Sequence, residues 1–345
     1  MARDKSTLSL AMSALSTGGF VKHTHTPFNN AAASASPHAP PAESRFFDYT
    51  PAPIEYRNRI LNKLETGDHI VRYVRFPSAG LTRQPGGLVH AHYWHGKRPG
   101  QKPLLIVLPI FGSYTYPTEA MVRTIRRHYG GDCHVLQIVG ENYLLDWFGL
   151  AEVDSYEALT AKADEMAEHM RIAVIDLKRC VDWALTREEI DAERIALIGF
   201  SMGAFLTALT LGVEPRLRAG VVVLGGAHPA GIIASCGGKP GMAKAAVMER
   251  LGLSWEEYFR VLENATCSND PAHFEGCFRP ERILLFDALY DTCMPARSRA
   301  ALWQAMGQPE RYTMHYGHKS AFLAMTPLGR NFMRRKTLQF LDRVL

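Results

Sequence analysis

The chain has 345 residues, of which 47% are hydrophobic and 21% are charged, so it can bury a sizeable core and is not disordered as a whole. Lys and Arg exceed Asp and Glu by 39 to 34, and because the basic residues are scattered along the chain we expect no nucleic-acid partner. No stretch approaches the roughly 18 uncharged apolar residues that a transmembrane helix needs, so we predict no membrane span.

The first 45 residues differ in composition from the rest of the chain. Between residues 27 and 45, 13 of 19 positions hold Ala, Pro or Ser, which supply too little apolar area to offset the entropy of ordering. We therefore predict a flexible tail over residues 1–45. The segment Leu8–Leu15 is short for a signal peptide and contains Ser9 and Ser13, so we predict a cytoplasmic protein, with export as the alternative.

From about Phe46 onward, short apolar runs alternate with longer segments of helical period. Continuous runs of β-branched residues and leucine are typical of strands that are buried on both faces, and therefore of a mostly parallel sheet. The predicted strands, in chain order, are residues 69–76, 88–95, 104–108, 135–139, 195–198, 220–224, 283–286 and 311–314. Residues 46–345 are therefore predicted to form one domain.

The longest helical pattern runs from Leu159 to Leu185. Its apolar residues recur at steps of three or four and form one stripe along a helix, as expected for a helix that covers a sheet. Strands and helices that alternate in this way predict an α/β fold built from βαβ units.

Residues 227–280 are too many for a simple crossover between the strands on either side of them. We predict that these residues are an insertion that forms a helical cap over the functional site of the domain. Ser254 and Glu257 have the spacing of a capping box, which predicts the start of a helix. Trp255, Tyr258 and Phe259 either line an apolar pocket or pack beneath the cap.

Residues 195–204 read IALIGFSMGA and contain a GxSxG motif between a predicted buried strand and a predicted helix. In a nucleophile elbow the serine occupies a strained backbone conformation, and its neighbours two residues away must be small. Gly199 and Gly203 meet that requirement. We therefore predict that Ser201 is a nucleophile.

A serine hydroxyl is a poor nucleophile until a base accepts its proton, so a carboxylate and then a histidine should follow it along the chain. Asp291 follows the predicted strand 283–286 and precedes a turn bounded by Pro295. We predict that Asp291 is the carboxylate. Asp287 lies closer to the strand and remains the alternative.

The histidine is expected on the loop after the last predicted strand. His318 lies there, and Gly317 lets the loop turn so that His318 points back at the serine. His315 is closer to the strand, and we predict a structural role for it. His318 is therefore the predicted base.

The negative charge of an acyl-transfer intermediate is normally held by two backbone N–H groups. One is predicted to be the amide of Met202, directly after the nucleophile and at the start of a helix. The other is expected in the loop after the strand 104–108, where we predict the amide of Phe111.

The six cysteines form no CxxC pair and no short Cys/His cluster, so we expect no metal site, and the chemistry needs no organic cofactor. Cys133 and Cys180 lie in apolar or helical segments and are predicted to be buried thiols. Cys267 and Cys277 are candidates for a disulfide if the protein is exported.

At these residues the chain resembles the α/β-hydrolase superfamily, and within it the dienelactone-hydrolase-like and acetyl-esterase-like bacterial proteins. The resemblance covers residues 65–345 and rests on three motifs in order: Gly199–Gly203, Asp291–Pro295 and Gly317-His318. It implies an eight-stranded, mostly parallel sheet flanked by helices and a catalytic triad of Ser201, Asp291 and His318.

The chain departs from these families at two points. Many relatives carry His-Gly after the third strand, where this chain has Pro109-Ile110, although a backbone N–H donor does not depend on the side chain. The cysteine nucleophile of true dienelactone hydrolases is also absent, so serine chemistry on an ester is expected.

We expect a serine hydrolase that cleaves a carboxylic ester, or a related acyl bond, of a small molecule. A peptidase, thioesterase, acyltransferase or carbon–carbon hydrolase would use the same fold and triad, so the sequence leaves these alternatives open. A non-catalytic binding protein of the same fold is the alternative from another class. The sequence makes no prediction of the oligomeric state.

Overall fold

The computed structural model describes residues 20–23, 42–51, 57–61, 65–80, 87–110, 115–139 and 145–345. Within these ranges the chain forms one mixed sheet with helices on both faces. Its strands are β1 (Phe20–His23), β2 (Arg57–Ile60), β3 (His69–Pro77), β4 (Leu88–Gly96), β5 (Lys102–Val107), β6 (His134–Val139), β7 (Ile190–Phe200), β8 (Ala219–Val223), β9 (Ile283–Ala288) and β10 (Glu310–Met314).

The strands of the sheet lie in the order β1-β10-β9-β8-β7-β5-β6-β4-β3-β2. The six strands from β10 to β6 in this order are parallel. Strands β4, β3 and β2 at one edge, and β1 at the other, are antiparallel to their neighbours. The predicted eight-stranded, mostly parallel sheet is confirmed over β3 to β10, and one short strand is added at each edge.

Strand β1 and the start of the 3-10 helix Ala42–Phe47 lie within the predicted flexible tail, so that prediction is wrong for Phe20–His23 and for residues 42–45. The residues of β1 pair with β10 in antiparallel register, from Phe20 opposite Met314 to His23 opposite Arg311. Phe and Val favour strands, and the outer edge of β10 offers unpaired backbone groups that a short strand can satisfy. Residues 1–19 and 24–41 of the predicted tail lie outside the described residues.

Two apolar clusters lie on the two faces of the sheet. Helices α1 and α9 cover one face, whereas α3, α4 and α8 cover the other. The described helices are α1 (Tyr116–Tyr129), α2 (Trp147–Ala151), α3 (Tyr156–Leu185), α4 (Met202–Val213), α5 (Pro229–Ser235), α6 (Lys239–Leu251), α7 (Trp255–Thr266), α8 (Ala296–Ala305) and α9 (Phe332–Val344).

Strand β7 shows why the strand sequences are continuously apolar. Ile195 and Leu197 belong to one apolar cluster, and Ala196 and Ile198 belong to the cluster on the opposite face. Successive side chains of a strand point to opposite faces, so a strand with helices on both sides buries every residue. Ser201 directly follows this strand and therefore lies at the carboxyl edge of a rigid sheet.

The predicted long helix is confirmed as α3. Its N-terminus is capped by Ser155, whose hydroxyl oxygen accepts the N–H of Ala158 at 3.2 Å. The predicted stripe is buried from Leu159 through Met166 to Val181, whereas Leu185 at its end is exposed. Neither α3 nor any other described helix has the length and apolar character needed to cross a membrane.

The chain between β8 and β9 contains α5, α6 and α7, as the predicted helical insertion requires. The capping box at the start of α7 is confirmed, because the N–H of Glu257 donates to Ser254 Oγ at 3.2 Å and the N–H of Ser254 donates to Glu257 Oε2 at 2.8 Å. Tyr258 is fully buried in the apolar cluster to which α3 also contributes, whereas Trp255 is partly exposed.

Candidate active site

Ser201 lies at a sharp bend between β7 and α4. Its backbone has φ 52° and ψ −113°, a strained conformation for a residue with a side chain. The N–H of Ser201 donates to the carbonyl of Val223 at 2.8 Å, which fixes the bend against the end of β8. The bend therefore presents the hydroxyl at the carboxyl edge of the sheet.

Gly199 and Gly203 allow this bend because neither position has room for a side chain. A Cβ at Gly199 would collide with the carbonyl of Gly203. A Cβ at Gly203 would lie 2.5 Å from the carbonyl oxygen of Pro109 and 3.0 Å from Cβ of Leu108. The spacing of the motif thus follows from close backbone contacts on both sides of the serine.

His318 contacts Ser201 from the loop after β10. The hydroxyl Oγ of Ser201 lies 2.8 Å from Nε2 of His318. Gly317 has no positive φ, and a Cβ there would lie 3.3 Å from the carbonyl oxygen of Tyr290. The glycine therefore serves close packing of two loops rather than the turn that we expected from it.

Asp291 contacts the other ring nitrogen of His318. Its Oδ2 lies 2.7 Å from Nδ1 of His318, and its Oδ1 accepts the N–H groups of Cys293 and Met294, each at 2.8 Å. The Asp291 side chain is fully buried, whereas 17% of the His318 side chain is exposed. The carboxylate is thus fixed from two sides, and the imidazole remains accessible.

The alternative carboxylate Asp287 and the histidine His315 lie apart from these contacts. Asp287 Oδ2 is 3.6 Å from Nη1 of Arg299 and 3.9 Å from Nη1 of Arg311. His315 is exposed, and its ring packs edge-on against Tyr290. The structure therefore brings together Ser201, His318 and Asp291. Neither Asp287 nor His315 takes part in these contacts.

Of the two predicted oxyanion donors, only one falls in the described part of the chain. Met202 is the first residue of α4, where an amide has no acceptor within the helix and the helix dipole favours negative charge. Phe111 lies outside the described residues. The strand before it, β5, runs beside β7, so the two loops leave the sheet at the same edge.

A disulfide joins Cys236, at the end of α5, to Cys293 in the Asp291 loop. Cys267 and Cys277, the candidates for a disulfide, are both free thiols; spacing along the chain does not fix the Cβ separation that a disulfide needs. Cys133 and Cys180 are buried thiols, as predicted. In the described ranges no group of three or more His, Cys, Asp or Glu side chains is arranged to hold a metal ion.

Sequence reasoning missed the Cys236–Cys293 link, although one signal was present. Cys293 is two residues from Asp291, so its partner has to come from a segment beside the same loop. Arg299 was also missed: its Nε donates to the carbonyl of Met294 at 3.1 Å and its Nη2 to that of Leu289 at 3.3 Å. This arginine therefore braces both ends of the loop that carries Asp291.

Comparison with known proteins supports the fold assignment. A family model described as phospholipase/carboxylesterase matches residues 136–235. No match was found among curated protein sequences. The acetyl xylan esterase from Paenibacillus sp. R4 superposes with a TM-score of 0.61 at 18% identity, over 85% of this chain and 90% of that one. The acetyl xylan esterase 1 from Thermoanaerobacterium sp. JW/SL YS485 gives 0.59 at 14% identity, over 87% and 95%.

A third solved structure has a larger chain. The acylaminoacyl peptidase of Pyrococcus horikoshii superposes with a TM-score of 0.54 at 16% identity, over 82% of this chain and 42% of that one. At such identities the likeness shows the fold. Together with the order of the strands, the likeness shows that the chain has an α/β-hydrolase fold, and over residues 136–235 the chain is similar to the phospholipase/carboxylesterase family.

Proposed function

We propose that the protein is a serine esterase that cleaves a carboxylic ester of a small molecule through an acyl-enzyme on Ser201. The observation that carries the proposal is the unbroken series of contacts from Ser201 Oγ to His318 Nε2 at 2.8 Å and from His318 Nδ1 to Asp291 Oδ2 at 2.7 Å. Such a nucleophile, base and orienting carboxylate define the triad of this enzyme class.

In the acylation step, the Ser201 oxygen attacks the ester carbonyl carbon while His318 Nε2 accepts the hydroxyl proton. The Nδ1–H of His318 donates to Asp291, so Nε2 is the ring nitrogen that carries the lone pair. The carbonyl oxygen becomes negatively charged and is held by the amides of Met202 and Phe111. The C–O bond to the alcohol then breaks, and His318 gives its proton to the departing alkoxide.

In the deacylation step, water replaces the alcohol. His318 Nε2 removes a proton from water, whose oxygen attacks the acyl carbon, and the same two amides hold the second oxyanion. The bond to Ser201 breaks, and the proton returns from His318 to the serine oxygen. The acid is released, and no metal or organic cofactor enters any step.

Short acyl esters are the first substrates to test. Two of the superposed structures are named acetyl xylan esterases, which makes an acetyl ester the reference substrate for this chain. We propose to measure kcat/KM for p-nitrophenyl acetate, butyrate and octanoate beside a thioester and a p-nitroanilide. Faster turnover of the esters supports the proposal, whereas a preference for the thioester or anilide would support one of the alternative activities.

The decisive variant is Ser201→Ala, for which kcat is expected to fall by at least about 10³-fold. Ser44→Ala is the matched control, because Ser44 is a half-buried serine in the 3-10 helix Ala42–Phe47 and is not a hydrogen-bond partner of the three residues. A fluorophosphonate probe should label the wild-type protein and Ser44→Ala but not Ser201→Ala. Absence of labelling together with absence of turnover would instead support a non-catalytic binding protein.

The cellular location remains a prediction. A cytoplasmic location was expected from the first residues of the sequence, with export as the alternative. The disulfide between Cys236 and Cys293 is an observation that favours export, because disulfides persist mainly in oxidising compartments.

A further inference from the structure

A cavity of about 500 Å³ lies between α5, α7, α8 and the 3-10 helix Pro271–Phe274. This volume falls in the range of small-molecule sites in proteins. None of Ser201, Asp291 and His318 lines it, so a ligand here is distinct from the acyl substrate proposed above. The cavity is instead lined by groups that the proposed esterase mechanism leaves unused.

His228 forms one side of the cavity and is held in a strained conformation. Its backbone has φ 59° and ψ 69°, which is uncommon for a residue with a side chain. Asp270 fixes it there: Oδ1 accepts the N–H of His228 at 3.1 Å, and Oδ2 accepts from Nδ1 at 2.9 Å. Because Nδ1 is engaged, Nε2 is left as an acceptor, and half of the His228 side chain is exposed.

Asp270 is engaged mainly with the protein itself. Its side chain is buried, and besides the two bonds from His228 it accepts the N–H of Ala272 at 2.9 Å. Three donors on one buried carboxylate make a rigid support. The role of Asp270 is therefore to hold the imidazole of His228 in one orientation.

Arg297 supplies the positive charge of the same wall. It lies on α8, and its guanidinium packs over Gly231, where a Cβ would lie 3.2 Å from Nη2. Arg297 is exposed, and in the described part of the chain no carboxylate pairs with it. A planar guanidinium without a partner at the wall of a cavity is suited to bidentate recognition of a carboxylate.

Helix α7 supplies an apolar surface and a negative charge. Phe259 and Glu263 are four residues apart, so they lie on one face of the helix, and both line the cavity. Glu263 is exposed and forms no ion pair with Arg297 or with any other cation among the described residues. The remaining titratable groups of the lining are His273 and the free thiol of Cys267, both of which are exposed. Two opposite charges thus line one cavity without neutralising each other.

We propose that this cavity is a binding site for a small amino-carboxylate, a molecule that carries a carboxylate, an ammonium group and an apolar side chain. The carboxylate pairs with Arg297. The ammonium group donates to Glu263 and to Nε2 of His228, and the apolar side chain packs on Phe259. This assignment gives each unpaired charge of the lining a partner of opposite sign.

The test is a binding titration on the full chain with L-phenylalanine, 3-phenylpropanoate and phenethylamine, followed by calorimetry. The second compound lacks the ammonium group and the third lacks the carboxylate, but all three keep the aromatic body. L-phenylalanine is expected to bind saturably. Each analogue with a single charge is expected to bind roughly tenfold more weakly or worse, since a hydrogen-bonded ion pair is lost.

Two variants assign the charges, and two others serve as matched controls. Arg297→Gln should weaken L-phenylalanine and 3-phenylpropanoate by roughly tenfold, and Glu263→Gln should weaken L-phenylalanine and phenethylamine to a similar extent. Arg260→Gln and Glu256→Gln remove exposed charges of α7 that lie outside the cavity, so the affinity should not change. Circular dichroism and thermal unfolding check the fold of each variant.

His228→Asn tests the role of the imidazole. Asparagine tolerates the left-handed conformation, and its amide N–H can still donate to Asp270, so only the acceptor Nε2 is lost. Weaker binding of L-phenylalanine with unchanged thermal unfolding is expected. Ser201→Ala should bind as the wild type does, which separates this site from the esterase centre.

Three outcomes would overturn the proposal. One is the absence of saturable binding by all three compounds. Another is 3-phenylpropanoate binding as tightly as L-phenylalanine with no effect of Glu263→Gln, which would indicate a plain anion site. The third is loss of binding in Ser201→Ala, which would assign the compounds to the acyl site. Each of these results leaves the proposed esterase activity to be judged by its own assay.

Discussion

The backbone N–H of Cys293 donates a hydrogen bond of 2.8 Å to Oδ1 of Asp291, the carboxylate that contacts His318. Cys293 is also linked covalently to Cys236 in the inserted helices. One residue therefore both positions the carboxylate and ties its loop to a segment 57 residues away. Reduction of this bond should affect stability and turnover together.

We predict that Cys236→Ser with Cys293→Ser destabilises the protein by about 4 kcal/mol, the chain-entropy value for a loop of this length. The kcat for p-nitrophenyl acetate should also fall, because the amides that hold Asp291 gain freedom. Urea unfolding and steady-state kinetics measure the two effects, and a thiol reductant should reproduce both in the wild type.

The matched control for this prediction is Cys267→Ser, which removes an exposed free thiol and should change neither quantity. Thiol titration of the denatured, unreduced protein should give four thiols, and six after reduction. A count of six before reduction would contradict the disulfide.

We predict that Gly203→Ala abolishes most activity. The new Cβ would lie 2.5 Å from the carbonyl oxygen of Pro109, so backbone on one side of Ser201 must move. A displacement of this kind should lower kcat by about 100-fold or more and cost about 1–3 kcal/mol of stability. Gly237→Ala is the control, since no atom lies within 4 Å of its Cβ position. Wild-type kinetics for Gly203→Ala would contradict the geometry of the elbow.

Asp291→Asn and Asp287→Asn are expected to affect different properties of the protein, kcat in the first case and stability in the second. The first should lower kcat by about 10³- to 10⁴-fold with little change in stability, because an amide favours the wrong tautomer of His318. The second should cost about 3 kcal/mol of stability with little effect on kcat, because it leaves the buried Arg299 without its carboxylate. Kinetics and urea unfolding on both variants decide the matter, and the reverse pattern would assign the catalytic role to Asp287.

Stability is expected to fall as the pH is lowered from about 6.5 towards 4. Burial lowers the pKa of His69 to about 4, and burial likewise lowers the pKa of His134 to about 4. Both values lie below the unfolded value of about 6.5, so within this window the unfolded chain binds more protons and stability is lost as the pH falls. Complete loss corresponds to about 3 kcal/mol for each ring.

Burial keeps the ring of His134 neutral, and its hydrogen bonds fix which ring nitrogen carries the proton. Its Nδ1 accepts the N–H of Gly96 at 3.0 Å, and its Nε2 donates to the carbonyl of Glu189 at 3.1 Å, so a proton on Nδ1 would break the first bond. Urea unfolding at pH 7.5 and at pH 5 measures the effect. His69→Leu should flatten the pH dependence, whereas His315→Gln, at an exposed position, should leave it unchanged. Equal stability at the two pH values would refute this prediction.

Most strands of the sheet were predictable because each one is marked by an apolar run of consecutive residues. The strands fell within a residue or two of their predicted cores, except that β7 begins at Ile190, five residues before its continuous apolar run. Residues 191–194 of this strand are intermediate or exposed, so its first part contains no continuous apolar run. The edge strand β1 was not predicted because it forms by pairing with the free edge of β10, about 290 residues further along the chain.

By itself, the sequence determined the alternation of buried strands and covering helices and the bend at Ser201, because burial on both faces and a crowded turn impose their residue types over a few consecutive positions. Only the tertiary structure decided between Asp287 and Asp291, and it paired Cys236 with Cys293 and His228 with Asp270. These contacts join residues 27, 57 and 42 positions apart. Their distances depend on how the whole sheet and the inserted helices pack, and that information is not contained in the spacing of residues along the chain.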